Sequence, residues 1–245
     1  MLELYHWEPS GASLRVLAAL EEKGLAYSSH FVDVLGRENH GEGYLTLNPT
    51  GELPVLAHEG RPYVQSSYIC EYLEEAFPDA LPLMPGNPPG NWQARYWQKF
   101  ADDYLASSVS DLAWEAFGDC KLAAEGAMSA PTPERRVVWL EHSQTFPTDR
   151  LEKAHEYIAQ AAEKLEQALG RNLWLAGEAF TLADIAMGSW IAYLPKVAPG
   201  MLGPMAAAWL ERVLARDSVQ AALGKGRAQD PFAIAAPGPE ATRWG

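Results

Sequence analysis

The chain has 245 residues, 48% of them hydrophobic, which is enough to bury the core of one large domain or two modest ones. Acidic residues outnumber basic ones by 32 to 19, and the net charge of −13 argues against a nucleic-acid partner. No apolar run approaches the roughly 20 residues that span a bilayer, so we expect no membrane partner. The amino terminus also lacks the pattern of a signal peptide.

Several kinds of catalytic site are not indicated by the sequence. The two cysteines, Cys70 and Cys120, are too few for a disulfide framework, which favours a reducing compartment and a cytoplasmic location. The six histidines are scattered, so we expect no metal site. The chain contains no GxGxxG, GxSxG or phosphate-loop motif.

The first part of the chain alternates strand and helix patterns. In chain order, the predicted elements are a strand at residues 2–6, a helix ending near 24, a strand at 27–34, a short helix at 44–47, a hairpin at 54–64 and a helix at 67–76. The strand–helix–strand unit at the start favours parallel pairing of its two strands.

Five prolines between residues 78 and 89 predict a linker, because no regular element tolerates that density. Beyond it, aromatic residues at every fourth position from Trp92 to Tyr104 predict one long helix. Thr181 and Asp184 have the spacing of a capping box at the start of a later helix. We therefore predict a small α/β domain at 1–82, an all-helical domain at 90–228 and an irregular tail at 229–245.

The order of these elements resembles the glutathione S-transferase superfamily. Five local features carry the resemblance: Ser13 at the start of the first helix, Asn48-Pro49 with Gly51, Leu53-Pro54-Val55-Leu56, Gln65-Ser66 before a helix, and the Thr181–Asp184 box after Trp174-Leu175-Ala176-Gly177. The resemblance implies a thioredoxin-like amino-terminal domain that binds glutathione as a consumed co-substrate. It also implies a helical domain that holds an apolar electrophile, and a homodimer.

Shorter runs resemble the bacterial beta-etherases, namely residues 1–5, 22–25, 31–33, 69–74 and 76–80, with Trp114-Glu115. In that group, glutathione cleaves the aryl ether of lignin-derived aromatic ketones. Two alternatives stay open: a generalist transferase for halogenated or epoxide electrophiles, and a non-catalytic binder of apolar ligands on the same scaffold.

The resemblance implies a cis peptide bond before Pro54, which would let the Leu53 backbone pair with the cysteine residue of glutathione like an added strand. A trans proline on an edge strand is the structural alternative. Gln65 and Ser66 precede a helix whose first N–H groups favour an anion, here the γ-glutamyl carboxylate. The alternative is that Ser66 is simply the N-cap of that helix.

Ser13 is the candidate catalytic residue, because a hydroxyl donor and a helix N-terminus both stabilise a thiolate. A hydrogen bond to a charged group is worth about 1.5–3 kcal/mol, or about one to two pKa units of a thiol. Ser10, in the loop before the first helix, is the alternative candidate for stabilising the thiolate. Ser13 as a plain helix cap is the structural alternative. Tyr5 is excluded because it lies within the strand.

The first 82 residues contain thirteen acidic and four basic residues, a net charge of −9. Anionic glutathione therefore needs a local cation for its glycyl carboxylate. Glu52 stands where relatives often have a cation. Arg15, Arg37 and His40 remain as candidates, and the resemblance to the beta-etherases favours His40.

The electrophile would be bound by Trp7, Tyr104, Ser107 and Trp114, if the long helix forms the wall of the cleft as it does in the family. Ring stacking contributes about 0.5–1.5 kcal/mol beyond burial. The alternative is that these aromatic residues belong to the core. Cys70, within an apolar helix, is expected to be an inert core thiol.

Overall fold

The computed structural model describes residues 1–238, and its amino-terminal part is built on a four-stranded sheet of order β2-β1-β3-β4. The strands are β1 (Leu2–His6), β2 (Tyr27–Phe31), β3 (Val55–His58) and β4 (Arg61–Val64). β1 pairs with β2 in parallel, as the strand–helix–strand pattern predicted, and with β3 antiparallel. β3 and β4 pair antiparallel as the predicted hairpin. The β3–β4 turn has positive φ at Glu59 (52°) and Gly60 (80°), which a two-residue hairpin turn favours.

Helices cover the sheet and supply its core. They are α1 (Gly11–Glu22), α2 (Glu42–Leu45), which follows a 3₁₀ turn at Glu38–His40, and α3 (Ser66–Ala76). Leu4, Leu17, Leu56 and Ile69 from the strands and from α1 and α3 are fully buried in one cluster. This arrangement confirms the predicted thioredoxin-like fold of the amino-terminal part.

The rest of the described chain is helical. Its helices are α4 (Pro88–Phe100), α5 (Ala106–Phe117), α6 (Cys120–Ser129), α7 (Pro133–His142), α8 (Thr148–Leu169), α9 (Leu182–Ile191), α10 (Leu194–Val197), α11 (Pro204–Leu214) and α12 (Asp217–Leu223). Within residues 1–238, the only β pairing after β4 is an isolated bridge between Trp174 and Gly177. The predicted combination of an α/β domain with an all-α domain is confirmed.

α4 and α5 differ from the single regular helix that the aromatic spacing predicted. They are joined by a π-helical turn at Ala101–Leu105, so the long helix carries one wide turn near its middle. Such turns occur frequently at functional sites, because they change which side chains a helix presents to one side. Asp102 and Asp103 lie in this turn.

Asp184 forms the predicted capping box with Thr181, and it does more than cap α9. Its fully buried carboxylate also accepts hydrogen bonds from the Leu175 N–H and from Trp209 Nε1, both at 2.9 Å. Burial raises the pKa of Asp184, and these donors counter that rise by stabilising the charged form. Asp184 therefore joins α9, α11 and the loop before α9.

The segment after α12 runs back across both parts of the molecule without forming a helix or strand up to residue 238. The buried carboxylate of Glu8 accepts hydrogen bonds from the N–H groups of Arg227 and Ala228, at 3.0–3.2 Å. At its far end, Gly238 is held by Arg135 and His142. Residues 239–245 of the predicted irregular tail lie outside the described residues.

No helix within residues 1–238 is both long enough and apolar enough to cross a membrane. For the domain bounds we propose 1–82 and 90–228. The linker is shorter than the proline density predicted, because Pro88 and Pro89 are the first two residues of α4, where a helix tolerates proline.

Candidate active site

A cleft of about 610 Å³ lies where the amino-terminal and helical parts meet. The amino-terminal side contributes Trp7, Ser10, Ser13, Leu53, Gln65 and Ser66. The helical side contributes Asp102, Ser107, Ser110, Arg135, Trp190 and Tyr193. Residues 235–238 of the returning segment form part of the wall. Five of the predicted site residues on the amino-terminal side therefore share one cavity with Trp7 and Ser107, namely Ser13, Leu53, Pro54, Gln65 and Ser66.

Ser10 and Ser13 both line the cleft at the start of α1, and both are buried. Ser10 is the N-cap residue of α1, whereas Ser13 is the third residue of the helix, within its first turn. Ser13 is therefore not the helix cap. Its Oγ accepts a 3.3 Å hydrogen bond from the Trp7 N–H, which fixes the oxygen while leaving its own hydroxyl proton to donate.

The Ser10 hydroxyl has a different neighbour, Tyr193, whose hydroxyl donates to Ser10 Oγ at 2.7 Å. Burial raises the pKa of Tyr193 to about 12, so its phenol is neutral and can donate. The two serines thus have distinct surroundings, since Ser10 is coupled to the helical part and Ser13 to the loop before α1.

The expected cis bond is present between Leu53 and Pro54, and both residues line the cleft directly before β3. After β4, Gln65 is the N-cap residue of α3 with φ 72°, and Ser66 is the first residue of the helix. The interpretation of Ser66 as N-cap is therefore wrong. Leu53 and the first turn of α3 lie side by side, as a bound peptide with a free carboxylate would require.

Arg15 lies behind Ser66, where it is almost completely buried. Its Nη1 is 2.7 Å from Asp102 Oδ1 and donates to Ser66 Oγ at 3.4 Å. The guanidinium thereby joins α1, the start of α3 and the π turn of the helical part. Asp102 and Ser66 line the cleft but Arg15 does not, so Arg15 is placed behind the cleft wall to orient both groups.

His40 does not line the cleft, contrary to the expectation that it binds the glycyl carboxylate. Its Nδ1 is 2.9 Å from Ser129 Oγ, and its ring packs edge-on against Trp139. Burial lowers the pKa of His40 to about 4, and the charges of Arg135 and Arg37 add to that shift. The imidazole is therefore neutral at neutral pH, and it serves the contact between the 3₁₀ turn and the helices α6 and α7.

Trp7 and Ser107 line the cleft as expected, but Tyr104 and Trp114 do not. Tyr104 is stacked on Phe100 and touches Tyr157 of α8, because the helix presents Lys99, Asp102 and Asp103 to the cleft instead. Trp114 is buried in the helical core, where its Nε1 donates to the His142 carbonyl at 3.0 Å.

The sequence interpretation missed Arg135, Trp190 and Tyr193, which line the cleft from α7 and α9 and the residues after α9. No local motif marks them. Trp190 and Tyr193 do lie three residues apart in a predicted helical region, a spacing that places side chains on one face. Such a face could have been proposed as a cleft wall.

Neither cysteine supplies an alternative nucleophile or metal ligand at this cleft. Cys70 is buried, and burial raises the pKa of its thiol to about 12, which keeps it protonated, as expected of a core thiol. Cys120 is exposed at the start of α6. Within residues 1–238, no group of three or more His, Cys, Asp or Glu side chains could hold a metal ion.

Two known domain families match this chain, one in its amino-terminal part and one in its helical part. Residues 9–76 match the glutathione S-transferase amino-terminal domain, and residues 120–217 match the glutathione S-transferase carboxyl-terminal domain. The thioredoxin-like sheet, the cis proline and the helical domain thus belong to a glutathione-binding enzyme class. The chain is a member of the glutathione S-transferase family, whose members use glutathione as co-substrate.

Individual relatives agree with this assignment. The chain is 31% identical over 247 residues to Protein LigF of Sphingobium sp. (strain NBRC 103272 / SYK-6), covering 94% of this chain and 95% of LigF. It is 30% identical over 220 residues to glutathione transferase GST 23 of Zea mays, covering 86% and 83%. The crystal structure of beta-etherase LigF from Sphingobium sp. strain SYK-6 superposes with a TM-score of 0.85, over 92% of this chain and 99% of that one.

Proposed function

We propose that this glutathione transferase is a beta-etherase, which cleaves the β-aryl ether bond of lignin-derived aromatic ketones. The observation that carries the proposal is the similarity to LigF in both sequence and structure along nearly the whole chain. A cleft bounded by Trp7, Trp190 and Tyr193 suits an aromatic substrate.

The reaction is a nucleophilic displacement. The glutathione thiolate attacks the carbon that bears the aryloxy group, next to the ketone. A C–S bond forms as the C–O bond breaks, and the electron pair of that bond leaves with the phenolate, which takes a proton from water. The thiol proton passes to solvent water beforehand, which balances the proton that the phenolate takes up. The protein contributes thiolate stabilisation and proximity.

Ser13 is the proposed thiolate stabiliser, with Ser10 as its rival. Both hydroxyls lie at the amino-terminal end of α1, where the helix dipole also favours negative charge. The Trp7 N–H occupies an acceptor site of Ser13, so the hydroxyl proton is available for the sulfur.

The glutathione backbone would run along the amino-terminal side of the cleft. Its cysteine residue pairs with the Leu53 backbone before Pro54, and its γ-glutamyl carboxylate meets Gln65, Ser66 and the N-terminus of α3. The electrophile then lies between Trp7 and Ser107, on the side of the helical domain.

We also propose a cytoplasmic homodimer, in accordance with the family. Two aromatic side chains that support an interface are Tyr68 of α3 and Trp92 of α4, each 64% exposed. Light scattering at micromolar concentration tests this point, and a stable monomer would contradict it.

Mass spectrometry of a β-aryl ether ketone incubated with the protein and glutathione tests the function. We expect one glutathione thioether and one equivalent of the released phenol. The relative from Zea mays supports a second candidate, a transferase for other electrophiles. Conversion of a halogenated arene without any ether cleavage would favour that candidate. Binding of the aromatic ketone with no thioether from either substrate would indicate a non-catalytic binder.

A further inference from the structure

Arg135 of α7 is a buried cation at the wall of the proposed glutathione site. It is 5% exposed and lines the cleft together with Asn39, Gly51 and Glu52. Its Nη1 lies 3.8 Å from Glu52 Oε1 and donates to the Gly238 carbonyl at 3.1 Å. The guanidinium is therefore held in one place, between the helical domain and the residues that precede Leu53.

The negative charge around the cleft means that an anionic ligand needs a cation there. Three acidic residues, Glu52, Asp102 and Asp103, line the cavity within the described chain, and glutathione is itself an anion. The other lining cation, Lys99, is largely exposed and holds Asp103 at 2.6 Å. A carboxylate buried in this cleft without a cation would be strongly destabilised.

The three cationic candidates of the amino-terminal domain are engaged elsewhere. Arg15 pairs with Asp102 behind Ser66, and Arg37 pairs with Glu125 on α6 at 3.1 Å. His40 is neutral at neutral pH and faces Ser129. A cation for the ligand thus has to come from the helical domain.

The direction of the bound peptide identifies the group that Arg135 meets. With the cysteine residue at Leu53 and the γ-glutamyl end at Ser66, the glycyl end continues towards Glu52, Gly51 and Asn39. We propose that Arg135 binds the glycyl carboxylate of glutathione. This inference rests on the proposed glutathione site.

Arginine suits the position, because its planar fork can hold two carboxylates at once or one in a bidentate manner. Glu52 then acts as the group that positions the guanidinium rather than as a ligand contact. Glutathione recognition would accordingly need both domains. The amino-terminal domain supplies the Leu53 backbone and the N-terminus of α3, and the helical domain supplies the arginine that binds the glycyl carboxylate.

The test compares glutathione with its glycyl monoethyl ester, which lacks only the carboxylate charge at that end. Dissociation constants from calorimetry are measured for the wild-type chain and for Arg135→Met, with Arg37→Met as the control that removes a partly exposed arginine paired with Glu125. We expect the wild type to bind glutathione roughly 10- to 100-fold more tightly than the ester. Arg135→Met should bind the two within about twofold, whereas Arg37→Met should discriminate like the wild type.

The double variant Glu52→Gln/Arg135→Met removes the charges of both residues together, so it serves if the single variant does not fold. Equal discrimination in the Arg135 variants and in the wild type would overturn the inference, as would a wild type that does not discriminate. Failure of the wild type to bind either peptide would instead overturn the proposed function together with the inference.

Discussion

Arg15 and Asp102 form an ion pair that crosses from the first helix of the amino-terminal domain to the π turn of the helical domain, with Nη1 and Oδ1 2.7 Å apart. The two sides of the pair differ, since the Arg15 side chain is 1% exposed and that of Asp102 is 37% exposed. The buried arginine thus depends on a partner at the cleft surface for its counter-charge.

Asp102→Asn should destabilise the fold by about 1–3 kcal/mol, because it leaves the buried Arg15 guanidinium without its anionic partner. The KM for glutathione should also rise, since Arg15 then no longer holds Ser66 in place. Urea unfolding and steady-state kinetics measure the two effects. Asp103→Asn is the matched control in the same turn, and equal stability of the two variants would contradict this role.

Asp184→Ala should cost about 3 kcal/mol or more. The capping box considered by itself predicts about 0.5–2 kcal/mol, but the structure adds buried donors from Leu175 and Trp209 that would lose their acceptor. Chemical denaturation compared with Thr181→Ala, which removes only the cap hydroxyl, separates the contributions. A loss no larger than that of Thr181→Ala would show that the additional contacts contribute little.

Features that depend on neighbouring residues could be predicted from the sequence. The hairpin around Glu59-Gly60 and the capping box at Thr181 follow from local turn and helix chemistry. The resemblance to a family further placed Leu53, Pro54, Gln65 and Ser66, and all four line one cleft.

Contacts between distant elements could not be predicted in this way. Arg135 lies close to Glu52 because α7 packs over the loop before β3, and no local spacing encodes that approach. The prediction that Trp114 faces the electrophile was wrong for a related reason. Helical periodicity defines the faces of α5, but it does not define which face meets the cleft. The π turn at Ala101–Leu105 likewise has no signal in the aromatic spacing, although it alters which side chains of this helix face the cleft.

Glu8→Ala should loosen the returning segment, because the N–H groups of Arg227 and Ala228 lose a shared buried acceptor. Since residues 235–238 form part of the cleft wall, we expect a several-fold higher KM for the aromatic substrate. The KM for glutathione should change less. Glu178→Ala, at an exposed position, is the control for the loss of one charge. An unchanged KM for the aromatic substrate would argue against a role of this segment in binding.

Stability should fall as the pH drops from about 6.5 towards 4, in part because of His142. Its Nδ1 lies 2.7 Å from the Val138 carbonyl, and its Nε2 accepts from the Gly238 N–H, so the folded chain requires the neutral ring. Burial lowers the pKa of His142 to about 4, whereas the unfolded chain binds the proton near pH 6.5. Between these values the unfolded state takes up more protons, which weakens the fold by about 1.4 kcal/mol per pH unit.

His142→Gln should flatten this part of the stability profile by about one proton, and His155→Gln, on the exposed side of α8, should leave it unchanged. Urea unfolding at pH 7, 6 and 5 provides the comparison. Parallel profiles for the wild type and His142→Gln would mean that the histidine is not neutral in the fold.

The proposed role of the Ser13 hydroxyl is to stabilise the glutathione thiolate, and the pH profile of thioether formation by Ser13→Ala and Ser10→Ala tests this role most directly. For Ser13→Ala we expect the pKa of the bound thiol to rise by about one unit and activity at neutral pH to fall roughly tenfold, because the α1 N-terminus still contributes. Part of the activity should return at higher pH, and Ser10→Ala should change less. An unshifted pH profile for Ser13→Ala would contradict this role. A shifted profile for Ser10→Ala would then assign the role to Ser10. Unshifted profiles for both variants would mean that backbone donors and the helix dipole stabilise the thiolate.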